Sequence, residues 1–195
     1  MPHLPWLLIQ VCPTANKSRE AHAQQKKVAA ERKAAKPHAD ILTRGKRIWE
    51  QIRRKDINKD ERKKLIEELC NLMKGRVSEL VFKHDASRIV QTAVKYGTKE
   101  QRKVIAQELK GKYVELSQSA YGRYLTVKMM EYGTAETKDM VVKEMFGNVR
   151  KLIKHKLASI VVEDTWRQYA TNKQKAVLLK EFYGVEFAIF KVSCL

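Results

Sequence analysis

Proline is absent from residue 38 onward: Pro2, Pro5, Pro13 and Pro37 are the only four, so nothing in the remaining chain forbids helices. Cysteine is scarce and scattered. Cys12, Cys70 and Cys194 form neither a Cys-x-x-Cys pair nor an even disulfide framework, which fits a reducing compartment. The five histidines show no metal-ligand spacing with them. The eight glycines stand singly, so a glycine-rich phosphate loop is missing, as are His-Glu-x-x-His and a nucleophile elbow. These gaps predict no metal, no cofactor and no catalysis; the chain reads as a binding protein, not an enzyme. Long apolar runs are missing too. Leu7-Leu8-Ile9 lies in a segment punctuated by Pro2, Pro5 and Pro13, too short for a bilayer and without a basic leader or cleavage site, so no membrane partner is expected.

Acidic residues are also few for the number of bases. Forty Lys and Arg stand against 22 Asp and Glu, a formal charge of +18 in 195 residues. The excess persists along the whole chain, which favours a polyanionic partner over lysine-rich faces that merely meet water, because cations placed on phosphates release condensed counterions.

What the chain does have is a period. Gly75, Gly111 and Gly147 lie 36 apart and Gly184 follows after 37. The same offset aligns Val77, Tyr113 and Val149; Leu80, Leu116 and Leu152; Ile89, Leu125 and Val161; and Tyr96 with Tyr132. Within one unit, Val104, Ile105 and Leu109 fall on one face of a helix predicted from Lys99 to Lys110. Gly111 stands where a left-handed cap ends it. A short turn over Tyr113–Ser117 and a second long helix over Tyr121–Tyr132 follow, with Gly133 ending it and Thr134 as N-cap of the next unit. His84 and His155 sit at helix starts, and the recurrence of Tyr96 and Tyr132 before a glycine marks them as repeat core. Such units bury their faces only against neighbours. The predicted fold is therefore all-α: an α-solenoid of three-helix units.

The predicted organisation is a mobile basic segment over 1–38, a basic capping helix over 39–60, repeats over 61–98, 99–134 and 135–172, and a partial repeat over 173–195. In the cap, Ile41, Ile48, Trp49 and Ile52 recur at helical spacing, and Trp49 is expected to pack onto the first repeat.

The run His84-Asp85-Ala86-Ser87-Arg88-Ile89-Val90-Gln91 resembles the RNA-reading helix of Puf (Pumilio) repeats. The first and last residues of that reading set lie one helical turn apart and meet one base edge, while the residue beside the first stacks on a base. The resemblance places Ser87, Arg88 and Gln91 in this role in the first repeat, Arg123 and Tyr124 in the second, where Val127 cannot hydrogen-bond a base, and Ser159 and Glu163 in the third, beside Ile160. Ala39-Asp40-Ile41, Lys46-Arg47-Ile48-Trp49-Glu50 and Glu100-Gln101-Arg102-Lys103 resemble the divergent Puf-A, or Pumilio homologue 3, branch. That resemblance implies binding of RNA (rRNA or mRNA) and also DNA with little sequence preference, a nucleolar place in large-subunit ribosome biogenesis, and contacts with pre-ribosomal proteins. Members carry more repeats than this chain. Its last unit stops short, as in a fragment, a splice variant or an incomplete gene model, and its end is expected to expose Leu178, Leu179, Phe182 and Phe187.

The expected phosphate contacts are Lys46, Arg47, Arg53, Arg54, Lys83, Lys95, Lys128, Arg150, Lys151 and Lys154 on a basic concave surface of a monomer. Roughly six contacts to a single strand give a logarithmic salt slope near −4. The competing reading is a protein-binding solenoid scaffold for an acidic partner. Clusters at Lys26-Lys27, Arg32-Lys33 and Arg44–Arg47 fit nuclear import and nucleolar retention.

Overall fold

The computed structural model describes residues 13–35 and 37–183, which divide into two units, 1–40 and 41–195. In the first unit, residues 13–34 form helix α1 (Pro13–Ala34), where the composition predicts a mobile segment with at most a transient helix. Its Ala, Lys, Arg, Gln and Glu are strong helix formers. Every described side chain on it is exposed, so it has helical form without a buried face.

Helix α2 (Ala39–Ile52) leads into the second unit and turns Ile41, Ile48 and Ile52 inward. Trp49 is half-buried; its indole N–H donates to Thr92 Oγ1 at 2.9 Å and the Arg53 guanidinium lies 4.6 Å from the ring centre. Then come three sets of helices: α3 (Lys59–Met73), α4 (Val77–Leu80) and α5 (His84–Tyr96); α6 (Lys99–Glu108), α7 (Tyr113–Gln118) and α8 (Gly122–Tyr132); and α9 (Ala135–Met145), α10 (Val149–Lys154) and α11 (Ala158–Asp164), the last continued by a π turn over Thr165–Tyr169. Helix α12 (Asn172–Tyr183) begins a fourth set. No strand occurs among the described residues. The residues in register form one continuous core, with Leu80, Leu116 and Leu152 and Ile89, Leu125 and Val161 all buried.

The same local devices recur at each joint. Gly75, Gly111 and Gly147 have φ of +77°, +82° and +80°, a region that costs other residues about 1–2 kcal/mol. Thr98, Thr134 and Thr171 accept from the backbone N–H three residues on, and Gln101 and Gln174 return a bond to their Thr to complete a capping box. A carboxylate from the following unit spans each glycine turn. Glu108 accepts from the N–H groups of Gly75 and Val77 (2.8 and 3.2 Å), Glu144 from Gly111 and Tyr113 (2.6 and 3.1 Å), and Glu181 from Gly147 and Val149 (2.7 Å each). The N–H of the first residue of each short helix, and that of the glycine before its cap, are thus filled by the following unit.

The π turn accounts for the change of period. Val161 follows Leu125 by 36 residues, but Tyr169 follows Tyr132 by 37. The extra residue is taken up between them, where Ala170 N–H bonds Thr165 O at 2.9 Å, one residue wider than an α turn.

Two local expectations are corrected. Val104 is 46% exposed, and the buried face of α6 is Ile105 and Ala106, continued by Leu109. Tyr96 is 41% exposed and lies outside the core, while Tyr132 is half-buried and packs against it. Each ring rests against cations, Arg62 and Lys95 at Tyr96, Arg102 and Lys128 at Tyr132. Gly133 ends α8, as expected, in extended backbone.

Candidate nucleic-acid interface

The second long helices α5, α8 and α11 pack directly on one another, whereas the first helices α3, α6 and α9 scarcely touch each other. The second helices therefore form one continuous wall. Along it, positions 88, 124 and 160, one per unit, project outward: Arg88 is exposed, Tyr124 is 50% exposed and Ile160 is 49% exposed. Arg88 has no side-chain partner among the described residues. Arg123 stacks on the Tyr124 ring at 4.5 Å and donates to its hydroxyl at 2.6 Å. Its Nε is buried without a partner.

The groups expected to read base edges are placed differently. Ser87 is fully buried; its hydroxyl donates to Tyr121 O at 3.0 Å and accepts from Gln91 Nε2 at 3.0 Å. Ser87 is thus corrected from interface to core, because it ties α5 to the turn before α8. Gln91 is half-buried and held by that bond. Ser159 is half-buried and donates weakly to Lys156 O at 3.4 Å. Glu163 is exposed but pairs with Arg167 at 2.9 Å. Ser159 and Glu163 also border a cleft of about 360 Å³ lined mainly by Val149, Ile153, Trp166, Leu178 and Phe182. Phe182 is 42% exposed, while Leu178 is buried and Leu179 half-buried, against the expectation that all three lie open. Phe187 lies outside the described residues. His155 Nδ1 accepts from the N–H groups of Leu157 and Ala158, starting α11, and His84 meets the Tyr121 ring edge-on.

The cations divide into three groups. Lys46 is paired with Asp85, whose carboxyl is held below its usual pKa, first by that hydrogen bond. Lys128 is paired with Glu131 at 2.6 Å; this bond raises the lysine and lowers the carboxyl. Both are charge-neutralised within the protein. Arg53 and Lys95 rest on Trp49 and Tyr96 and stay exposed. Arg47, Arg54, Arg150, Lys151 and Lys154 are exposed, and Lys83 is half-buried immediately before α5.

On α5, α8, α11 and the π turn, Arg88, Lys95, Arg123, Lys128 and Arg167 face Asp85, Glu131, Glu163 and Asp164. That is near balance. The positive excess of the second unit lies outside these helices, at Arg53–Lys55, Lys74–Arg76, Lys110–Lys112 and Arg150–Lys156, and the first unit carries its own on α1. Stacking groups on two of the three second helices, with cations in the adjoining segments, suit a flexible anion carrying flat rings. Among the described residues no cluster of His, Cys, Asp or Glu has the makings of a metal site.

Sequence reasoning missed Glu108, Glu144 and Glu181, although they share the period. It also missed Arg102, which donates to Val94 O, Lys95 O and Tyr132 O at 2.7, 3.1 and 2.9 Å and so binds the ends of α5 and α8 together. The glutamate period was available as a signal. Arg102 offered none, since Arg62 in the first unit is not in its register.

Comparison with known proteins agrees with this geometry. Residues 86–110 and 112–146 match the Pumilio-family RNA binding repeat. Pumilio homology domain family member 6 of Schizosaccharomyces pombe is 49% identical over 172 residues, 88% of this chain and 27% of that protein. Pumilio homolog 3 of Homo sapiens is 35% identical over 156 residues, 80% of this chain and 24% of that protein. The crystal structure of human Puf-A in complex with DNA superimposes with a TM-score of 0.75 at 36% identity, over 81% of this chain and 31% of that one. The chain thus spans about a quarter of the length of these two curated relatives. Its repeats, their capping turns and these identities place it in the Puf (Pumilio) repeat family, as a member of the divergent Puf-A type.

Proposed function

We propose that these repeats bind single-stranded nucleic acid with little sequence preference, RNA foremost and DNA as well. The observation that carries this is the contrast along the wall. Stacking positions Arg88 and Arg123–Tyr124 are open, while Ser87, Gln91 and Glu163, the groups suited to base edges, are engaged within the protein. Stacking tolerates any base and is worth about 1–3 kcal/mol per base, whereas base-edge bonds are what discriminate. The adjoining cations Lys83, Arg150, Lys151 and Lys154, with Arg47, Arg53 and Arg54, contact phosphates in this reading, and Lys46 and Lys128 do not. The complex of human Puf-A with DNA supports it by likeness.

The test is a salt titration of binding to random and to adenine-guanine single strands, wild type beside Arg88→Ala and Tyr124→Ala. Both substitutions are expected to weaken all strands alike, with a logarithmic salt slope near −4 for roughly six phosphate contacts. A single-base change that mattered more than a move from low to moderate salt would contradict the proposal. Failure to bind heparin or RNA where an acidic protein binds would favour the scaffold reading. We place this activity in the nucleolus, in large-subunit ribosome assembly alongside pre-ribosomal proteins, on the resemblance to Puf-A; a labelled full chain that stayed cytoplasmic would overturn that placement.

A further inference from the structure

We propose that α1 is a second phosphate-binding element that grips the same nucleic acid independently of the repeat wall; the partner's identity rests on the function proposed above. Six Lys and Arg stand on this helix against two Glu. Arg19, Lys26 and Lys33 recur every seven residues. On a helix that spacing returns to the same side with a drift of about 20° per step, at a rise of roughly 10.5 Å. Glu20 and Glu31 fall about 100° or more away from this line, so the acids are set apart from the cation row.

Among the described side chains none pairs with Arg19 or Lys26. From Ser18 to Arg32 every side chain is exposed, and the ion pairs of the described residues all lie outside α1. The chemistry also selects among occupants. A membrane surface or a partner helix requires an apolar stripe. Here Val28 is the one large apolar side chain, 39% exposed. What remains is a long, charged, flexible polymer, and evenly spaced cations on a rod fit a phosphate backbone. With the wall near charge balance, α1 then supplies much of the salt-sensitive affinity.

The experiment uses the full chain and fluorescent random single-stranded RNA, with anisotropy read across a range of salt. The variant Arg19→Gln/Lys26→Gln/Lys33→Gln keeps helix-forming residues, and circular dichroism verifies that the repeats remain folded. Losing three contacts lowers the salt slope by about 2 and the affinity about 100-fold near 0.1 M salt. The comparison variant Lys27→Gln/Arg32→Gln removes charge from other sides of the helix and is expected to lose much less per charge. Equal loss per charge in both would overturn the cation row. If the row variant binds as wild type while Arg88→Ala/Arg123→Ala weakens binding, this inference fails and the repeat function stands. If neither affects binding, both fail. Weakened binding to polyglutamate or to phosphatidylserine vesicles, with RNA binding unchanged, would overturn the nucleic-acid assignment of α1.

Discussion

Glu144→Gln probes the joint between repeats, because it replaces one charged oxygen of a two-bond clamp with an amide of nearly the same size. The carboxylate accepts from Gly111 N–H at 2.6 Å and Tyr113 N–H at 3.1 Å. The Gly111 amide is exposed and finds water when its partner goes; the Tyr113 amide is partly buried, beside a ring with no exposed surface, and does not. A hydrogen bond to a charged group is worth roughly 1.5–3 kcal/mol, and a partly buried amide left unpaired forfeits most of that. With one oxygen kept and an NH2 turned toward the other amide, the expected loss is about 2 kcal/mol, and about 3 kcal/mol for Glu144→Ala. For a chain of this size that lowers Tm by roughly 4–8 °C for the glutamine variant. Urea and thermal melts followed by circular dichroism measure it. Glu115→Gln, an exposed carboxylate on the neighbouring α7, removes the same charge and is expected to stay within about 0.5 kcal/mol of wild type. A Glu144→Gln protein as stable as the Glu115→Gln control would refute the clamp.

Arg102→Ala removes three bonds to helix-end carbonyls and is expected to cost about 3 kcal/mol in urea unfolding, with Arg102→Lys restoring under half because one ammonium cannot fork to three oxygens; full rescue by lysine would contradict this. Asp85 titrates below its ordinary value of 3.8, chiefly through its hydrogen bond from Lys46. Since the folded carboxyl is the more acidic, the pairing stabilises the fold above the unfolded pKa near 3.9 and is lost as pH falls through the folded value. Exposure keeps the energetic effect small, so the readout is carboxyl NMR: Lys46→Ala should return Asp85 toward its usual range, and an unmoved titration would count against the pair. Burial first, and then the Glu67 charge, push the Cys70 thiol up to about 11. Peptide mapping after brief maleimide exposure at neutral pH should therefore find Cys70 unlabelled in the folded chain and labelled in denaturant.

The array was legible because its determinants are local and repeated. A glycine every 36 residues marks a left-handed turn, a threonine before a helix marks a cap, and apolar residues at helical spacing mark a face; each acts within a few residues of itself. The Arg88 and Tyr124 positions came from the resemblance to the Puf reading helix, and the structure leaves both side chains exposed. By itself, then, the sequence determined the period, the all-helical units and the capping turns. Only the tertiary structure decided which polar groups remain available. Ser87 pairs with a residue 34 positions on, Glu144 with one 33 positions back, and Tyr96 stays outside although it recurs like a core residue. A period gives equivalence between units but not the contact between them, and whether a hydroxyl or carboxylate meets a partner or a ligand is settled at that contact.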